Sequence, residues 1–296
     1  MANITAAQVN ELRNMTGVGL MKCKEALIEA DGDLEKAGVI LREKGLANAI
    51  KKASRIAAEG VIALYGDNNT AVLCEVNSET DFVAKNEKFT TFANNIAKVI
   101  AEKNPADVEA LMQLPYPDYD GTIEDKRKDM VLSIGENMNV RRFVRVTGHP
   151  CIYNHGNGKI GVIVNFTEDA SAYGKKVCMQ VAAMNPTWLD RTCVPAERIA
   201  NEKEILVAQI KNDPKNANKP EQVLAKIAEG KLGKFYSEYC LVDQAFVMDE
   251  SISVGQFVAS QGSAKISEFV RFERGEGLQK REDDFAAEVA KMAQGK

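Results

Sequence analysis

Glu75-Val76-Asn77-Ser78-Glu79-Thr80-Asp81-Phe82-Val83-Ala84-Lys85-Asn86 is the stretch that decides the fold. Before and within it, Val72, Cys74 and Val76 alternate as in a β-strand; after it, Phe89, Phe92, Ile96 and Val99 recur at helical spacing. Thr80-Asp81 is placed to cap that helix, which the pattern carries to about Glu102. Phe82 follows at the helix start, where a polar or acidic residue is more usual. It is either a core residue beside a cap or a small wedge aimed outward.

The chain contains its own control. Shifted by 88 positions, from Val76 to Val164, Val76-Asn77-Ser78-Glu79-Thr80-Asp81-Phe82 falls on Val164-Asn165-Phe166-Thr167-Glu168-Asp169-Ala170 without a gap. The preceding strand matches too, Thr70 to Asn77 against Gly158 to Asn165. So does the following helix, with Phe89 on Val177, Ala93 on Val181 and Ile96 on Met184. The aspartate persists in both copies and can be a structural cap; the phenylalanine becomes alanine. A unit that folds with Ala170 does not require Phe82, which makes Phe82 the better functional candidate.

A chain of 296 residues can hold two or three domains. No apolar run is long enough to span a bilayer, and Met1-Ala2-Asn3-Ile4-Thr5 lacks the basic start and apolar stretch of a signal peptide. Cytoplasm is the expectation. A net charge of −4 and a pI near 5.5 argue against binding that depends on phosphate-backbone contacts. The six cysteines lie far apart, without zinc or redox spacing, and read mostly as reduced, buried thiols. With two histidines, His149 and His155, nucleophilic triads have little to draw on. Thr16-Gly17-Val18-Gly19 reads as a tight turn between helices rather than a phosphate loop, because no strand precedes it. The composition is that of a binding protein, with no cofactor implied.

Residues 1–45 read as three short helices: one opened by the capping-box pair Thr5 and Gln8, one carrying Leu20, Cys23 and Leu27, and one capped by Asp33 and ended by Lys44-Gly45. Leu20 and Met21 are adjacent, so at least one must leave the buried stripe. Residues 46–56 read as a helical linker with a solvated charge cluster. Strands Gly60–Tyr65 and Thr70–Asn77 form a hairpin, a helix covers Asp125 to Leu132, and Asn139–Val146 closes the first unit. The second unit opens with Cys151–His155 and closes with Glu268–Phe272. Between them lies an inserted helical hairpin, whose apolar stripe can pack on itself or serve a homodimer. Each unit is an α+β half with a three-stranded antiparallel sheet and helices on one face. A terminal helix follows, with Phe285, Val289 and Met292 aligned, that either docks on its own domain or reaches a partner.

These residues resemble the elongation factor Ts family, bacterial exchange factors for the GTPase elongation factor Tu. The resemblance rests on Thr16-Gly17-Val18-Gly19-Leu20-Met21-Lys22-Cys23-Lys24, Glu75 to Lys85, Ile134-Gly135-Glu136-Asn137 with Val140-Arg141-Arg142-Phe143, Val254-Gly255-Gln256 and Phe285 to Ala290. It implies a ubiquitin-associated-like three-helix module at 1–55, core halves at 56–148 and 149–274 with a hairpin insertion at 195–238, and a C-terminal helix module at 275–296.

It also implies roles. Arg13, Leu20 and Met21 match positions that touch the GTPase's nucleotide-binding domain. Thr80, Asp81, Phe82 and Val83 match the segment that intrudes beside its Mg²⁺ and phosphates, with Phe82 as the wedge and Lys85 alongside. Gln180 stands where many members carry histidine, in the half that grips another domain, and Phe285 and Val289 lie on the terminal helix that does the same. The expected partner is elongation factor Tu with GDP and Mg²⁺, without nucleic-acid or membrane contact. Asp81 reads either as a cap or as a cap that also repels the phosphates. Two readings compete with exchange: a static scaffold, and a cysteine enzyme using Cys74 or Cys151 with His149 or His155 as base.

Overall fold

Thr5 opens the first helix as its pairing with Gln8 requires: its hydroxyl accepts from the Gln8 N–H, and the Gln8 side chain returns to the Thr5 N–H. The computed structural model describes residues 4–67, 69–212 and 219–279. Helices α1 (Ala6–Thr16), α2 (Leu20–Glu29) and α3 (Leu34–Lys52) close around Leu12, Cys23, Leu27, Ala37 and Leu41. The third helix does not stop at Lys44-Gly45; it runs on through the expected linker. Gly45 is buried where α3 meets a later helix, and a Cβ built on it would lie 3.6 Å from both the Leu132 side chain and the Lys128 carbonyl. The glycine marks a helix contact rather than a helix end.

The first half consists of β1 (Glu59–Gly66), β2 (Thr70–Ser78), α4 (Asp81–Ala84), α5 (Glu87–Lys103), α6 (Val108–Met112), α7 (Ile123–Ile134) and β3 (Met138–Thr147). Its antiparallel sheet has the order β1-β2-β3. Phe89, Phe92, Ile96 and Ile100 of α5 are fully buried against β1 and β2. The single helix expected from Asp81 to Glu102 is broken into α4 and α5, because Asn86 takes an extended conformation and caps α5 by accepting from the Lys88 N–H.

The second half has β4 (His149–His155), β5 (Ile160–Phe166), α8 (Gly174–Met184), α9 (Ala196–Lys211), α10 (Glu221–Tyr239), β6 (Ala245–Phe246), β7 (Asp249–Ser253), α11 (Val254–Gln261) and β8 (Ile266–Glu273). Its main sheet has the order β4-β5-β8, also antiparallel. The repeat holds at the central strands: the Asn77 side chain donates to the Glu59 carbonyl at 3.0 Å, and the Asn165 side chain donates to the Thr147 carbonyl at 3.0 Å. It fails in the helices. Asp169 caps nothing and instead accepts from the N–H and hydroxyl of Ser171, and α8 begins only at Gly174. Ile96 is buried while its expected counterpart Met184, at the end of the shorter α8, is half exposed.

The two sheets pack back to back. Ile62, Leu73 and Val146 meet Ile163, with Ile152 and Phe272 at the margin, and the helices cover the outer faces. Gly161 sits at the closest approach, since a Cβ there would come within 2.5 Å of the Ile62 side chain. The α9–α10 hairpin packs its stripe on itself through Ile210, Leu224, Ala228 and Leu232. Among the described residues, no helix is long and apolar enough to cross a membrane.

Candidate functional site

The corner between β2 and α5 is built by its neighbours rather than by its own helix, which is a single turn. Thr80 is the N-cap, its hydroxyl accepting from the Val83 N–H at 3.4 Å, and Asp81 is the first helical residue rather than the cap. The Asp81 carboxylate pairs with Lys85 one turn on, at 2.6 Å. That hydrogen bond holds its carboxyl below the usual aspartate range.

The corner is anchored from the far end of α7. Glu136 accepts from the Thr80 backbone N–H at 3.0 Å and from its hydroxyl at 2.7 Å. Glu79 accepts from the Asn137 N–H at 2.6 Å and pairs with Arg55, whose carbonyl receives the Asn137 amide. Glu136 and Asn137 thus acquire a role that the linear sequence does not assign them. Their only signal there was membership of the motif Ile134-Gly135-Glu136-Asn137.

On this braced turn Val83 and Ala84 are buried, and Phe82 is 81% exposed. A phenylalanine that contributes almost nothing to its own core is available to another one. Burying it is worth ~2 kcal/mol.

The helical module docks on the same support. Leu132 of α7 joins the module's core, the Lys22 ammonium donates to the Leu132 carbonyl at 3.0 Å, and the Lys52 ammonium donates to the Gly135 carbonyl. At the α1–α2 turn, the Lys88 ammonium lies 3.6 Å from where a Gly17 Cβ would be. Leu20 and Met21, the first two residues of α2, are both exposed, at 44% and 69%, and Arg13 is exposed in the last turn of α1. Leu20 therefore leaves the stripe formed by Cys23 and Leu27.

The cysteine reading has no support in this geometry. Burial raises the Cys74 and Cys151 thiols above the ordinary value, which keeps both out of the thiolate form that nucleophilic attack needs. His155 contacts the Tyr153 hydroxyl.

The family model for Elongation factor TS matches residues 79–276, from the corner to the end of the second sheet. Elongation factor Ts of Syntrophotalea carbinolica is 46% identical, with 98% of this chain and 99% of that protein covered. The Clostridium tetani protein of the same name is 45% identical over 98% of this chain and 100% of its own length, and that of Magnetococcus marinus is 41% identical over 99% of both. The chain belongs to the elongation factor Ts family.

Within this elongation factor Ts fold, Gln180, which the resemblance puts among the partner contacts, has its side chain turned inside its own half. It is fully buried, accepts from the Val247 N–H at 2.8 Å, and donates at 3.1 Å to the Gln244 side chain and the Ala245 carbonyl. Its amide supplies acceptor and donors at once, so it works as a bracket for the β6–β7 hairpin. The hairpin tip exposes Val247 and Met248, apolar residues that the sequence reading passed over. Phe285 and Val289 lie outside the described residues.

Proposed function

We propose that this elongation factor Ts family member binds the GTPase elongation factor Tu in its GDP–Mg²⁺ form and promotes GDP release. Arg13, Leu20 and Met21 form the anchoring patch of the helical module, and Thr80 to Val83, with Lys85 beside them, form the intruding segment. The observation that carries the reading is the exposure of Phe82 on a turn that Glu136 holds in place.

No bond chemistry is required of the factor. A GTPase holds GDP through Mg²⁺ and its phosphate loop, and a factor that binds better to a distorted site shifts the population toward that site. Linkage makes the effect reciprocal: if the factor weakens GDP, GDP weakens the factor by the same ratio, and incoming nucleotide expels it. Phe82 contributes its burial in the opened state alone, whereas the module patch contributes to both states and sets affinity. Asp81, paired with Lys85, brings a carboxylate toward the phosphates and Mg²⁺.

Release of a fluorescent GDP analogue from elongation factor Tu, with this protein and with Phe82→Ala, tests the reading. Acceleration that is largely lost in the variant is expected. Binding without acceleration by either protein would return the chain to a static interaction role.

A further inference from the structure

Glu75 is fully buried on the middle strand of the first sheet, and four groups converge on its carboxylate. Arg142 Nε donates at 2.6 Å, Arg141 Nη1 at 3.1 Å, the Asn77 amide at 3.1 Å, and the Gly275 backbone N–H at 2.8 Å. The two arginines then reach across to the end of β8. Arg141 donates to the Glu276 carbonyl at 2.7 Å, Arg142 to the Glu276 carboxylate at 3.1 Å, and Arg142 lies 4.2 Å above the Phe272 ring. Arg274 returns the connection by pairing with Glu59 at 2.8 Å and donating to the Gly60 carbonyl at 3.1 Å. Gly275 has φ +70, and a Cβ on it would come within 2.2 Å of the Ala58 carbonyl, so the two halves touch here backbone to backbone.

The internal repeat shows that the fold does not need this charge. The residue 88 positions after Glu75 is Ile163, buried in the apolar layer between the sheets. Arg142 faces Glu75 across the first sheet, and Val270 faces Ile163 across the second. One copy makes the pair from isoleucine and valine, the other from a carboxylate and a guanidinium. Apolar replacement of a buried ion pair is often neutral or stabilising, so stability gives no reason for the charge; fixing one geometry does. Apolar faces can slide over one another, whereas a carboxylate with four directed donors cannot.

This fixed point adjoins the Phe82 corner. Glu75 lies on the strand that enters the corner, and Asn77 touches both Glu75 and the Glu59 backbone. Asp81 feels Lys85 first and Arg274 as well.

We propose that Glu75 is a positioning residue for exchange: it clasps the end of β8 to β2, the strand that leads into the turn carrying Phe82, so that binding by the second half is delivered as insertion of the wedge. The inference rests on the exchange reading above. A loosened clasp leaves the docking surfaces in place but lets the second half bind without driving Phe82 into the partner.

The test measures GDP-analogue release from elongation factor Tu over a range of factor concentrations, for the full chain and for Glu75→Gln and Arg141→Gln. Glu75→Gln is expected to lower the maximal rate about tenfold while the half-saturating concentration moves less than about threefold. A merely structural role would reduce the folded fraction, which raises the apparent half-saturating concentration and leaves the maximum unchanged. That pattern, or full activity, overturns the clasp. If Glu75→Gln does not fold, Arg141→Gln decides, since it removes one donor to Glu75 and the link to the Glu276 carbonyl while Arg142 still balances the Glu75 charge; a full maximal rate in that variant overturns the proposal. If the unaltered protein releases no nucleotide, the exchange reading falls and the clasp with it; if only the variants behave as the unaltered protein does, the clasp alone falls.

Discussion

Glu136 holds Thr80 by both of its donors, the backbone N–H at 3.0 Å and the hydroxyl at 2.7 Å, across 56 residues of sequence. A glutamine at position 136 can accept one of these bonds but presents an amide N–H to the other. Glu136→Gln is expected to cost ~1–3 kcal/mol of stability by urea unfolding and to slow catalysed GDP release. Unchanged release at full folding would remove Glu136 from the support of the corner.

Phe82→Ala is expected to leave unfolding within ~0.5 kcal/mol of the unaltered protein, because the ring is exposed. The loss appears instead in exchange: ~2 kcal/mol of burial realised only in the opened complex corresponds to a rate lower by about thirtyfold. Calorimetry and stopped-flow release on the same sample separate the two effects. Equal losses in affinity and rate would sink the division of labour between Phe82 and the module patch.

Gln180→Ala removes three hydrogen bonds that organise the β6–β7 hairpin. A stability loss of ~1–3 kcal/mol is expected, with faster amide exchange concentrated at residues 245–253. A uniform change across the chain would contradict its role as a local bracket.

Acid should weaken the molecule through Glu75 and Glu124. Burial alone would raise both carboxyls, but the Gly275 N–H, Asn77 and the two arginines at Glu75, and Arg127 and Lys128 at Glu124, more than offset it and leave both below the usual glutamate value. Their contribution is complete above the unfolded value of about 4.5 and is lost as pH falls through the lower folded values. Urea midpoints taken from about pH 6 to about pH 3 should fall over the acid end, and less steeply in Glu75→Gln.

Gly45→Ala is expected to stabilise by ~0.5–1 kcal/mol, because glycine inside a helix carries an entropic cost and the added Cβ would meet neighbours at an ordinary 3.6 Å. A lower melting temperature would mean that α3 and α7 cannot yield at that contact.

The sequence determined what depends on neighbours in the chain. Alternation in Val72-Cys74-Val76 gave a strand and Thr5 with Gln8 gave a helix start, whereas the match of Phe82 to Ala170 pointed to Phe82 although the two corners differ, Ala170 being buried and Phe82 exposed. It also carried the family, because the corner motif and the Ile134–Asn137 motif are contiguous words.

Tertiary structure decided what depends on contacts between distant segments. Gly45 read as a helix end because a glycine's local preference does not reveal that Leu132 packs beside it. Gln180 is placed among the partner contacts by resemblance alone, and the sequence does not show that donors and acceptors from residues 244–247 reach it and bury it. The meeting of Glu75 with Gly275 spans 200 residues, and no periodicity encodes it. Local pattern fixes which face of a strand or helix is apolar; which polar groups come to satisfy each other is settled only when those faces have packed.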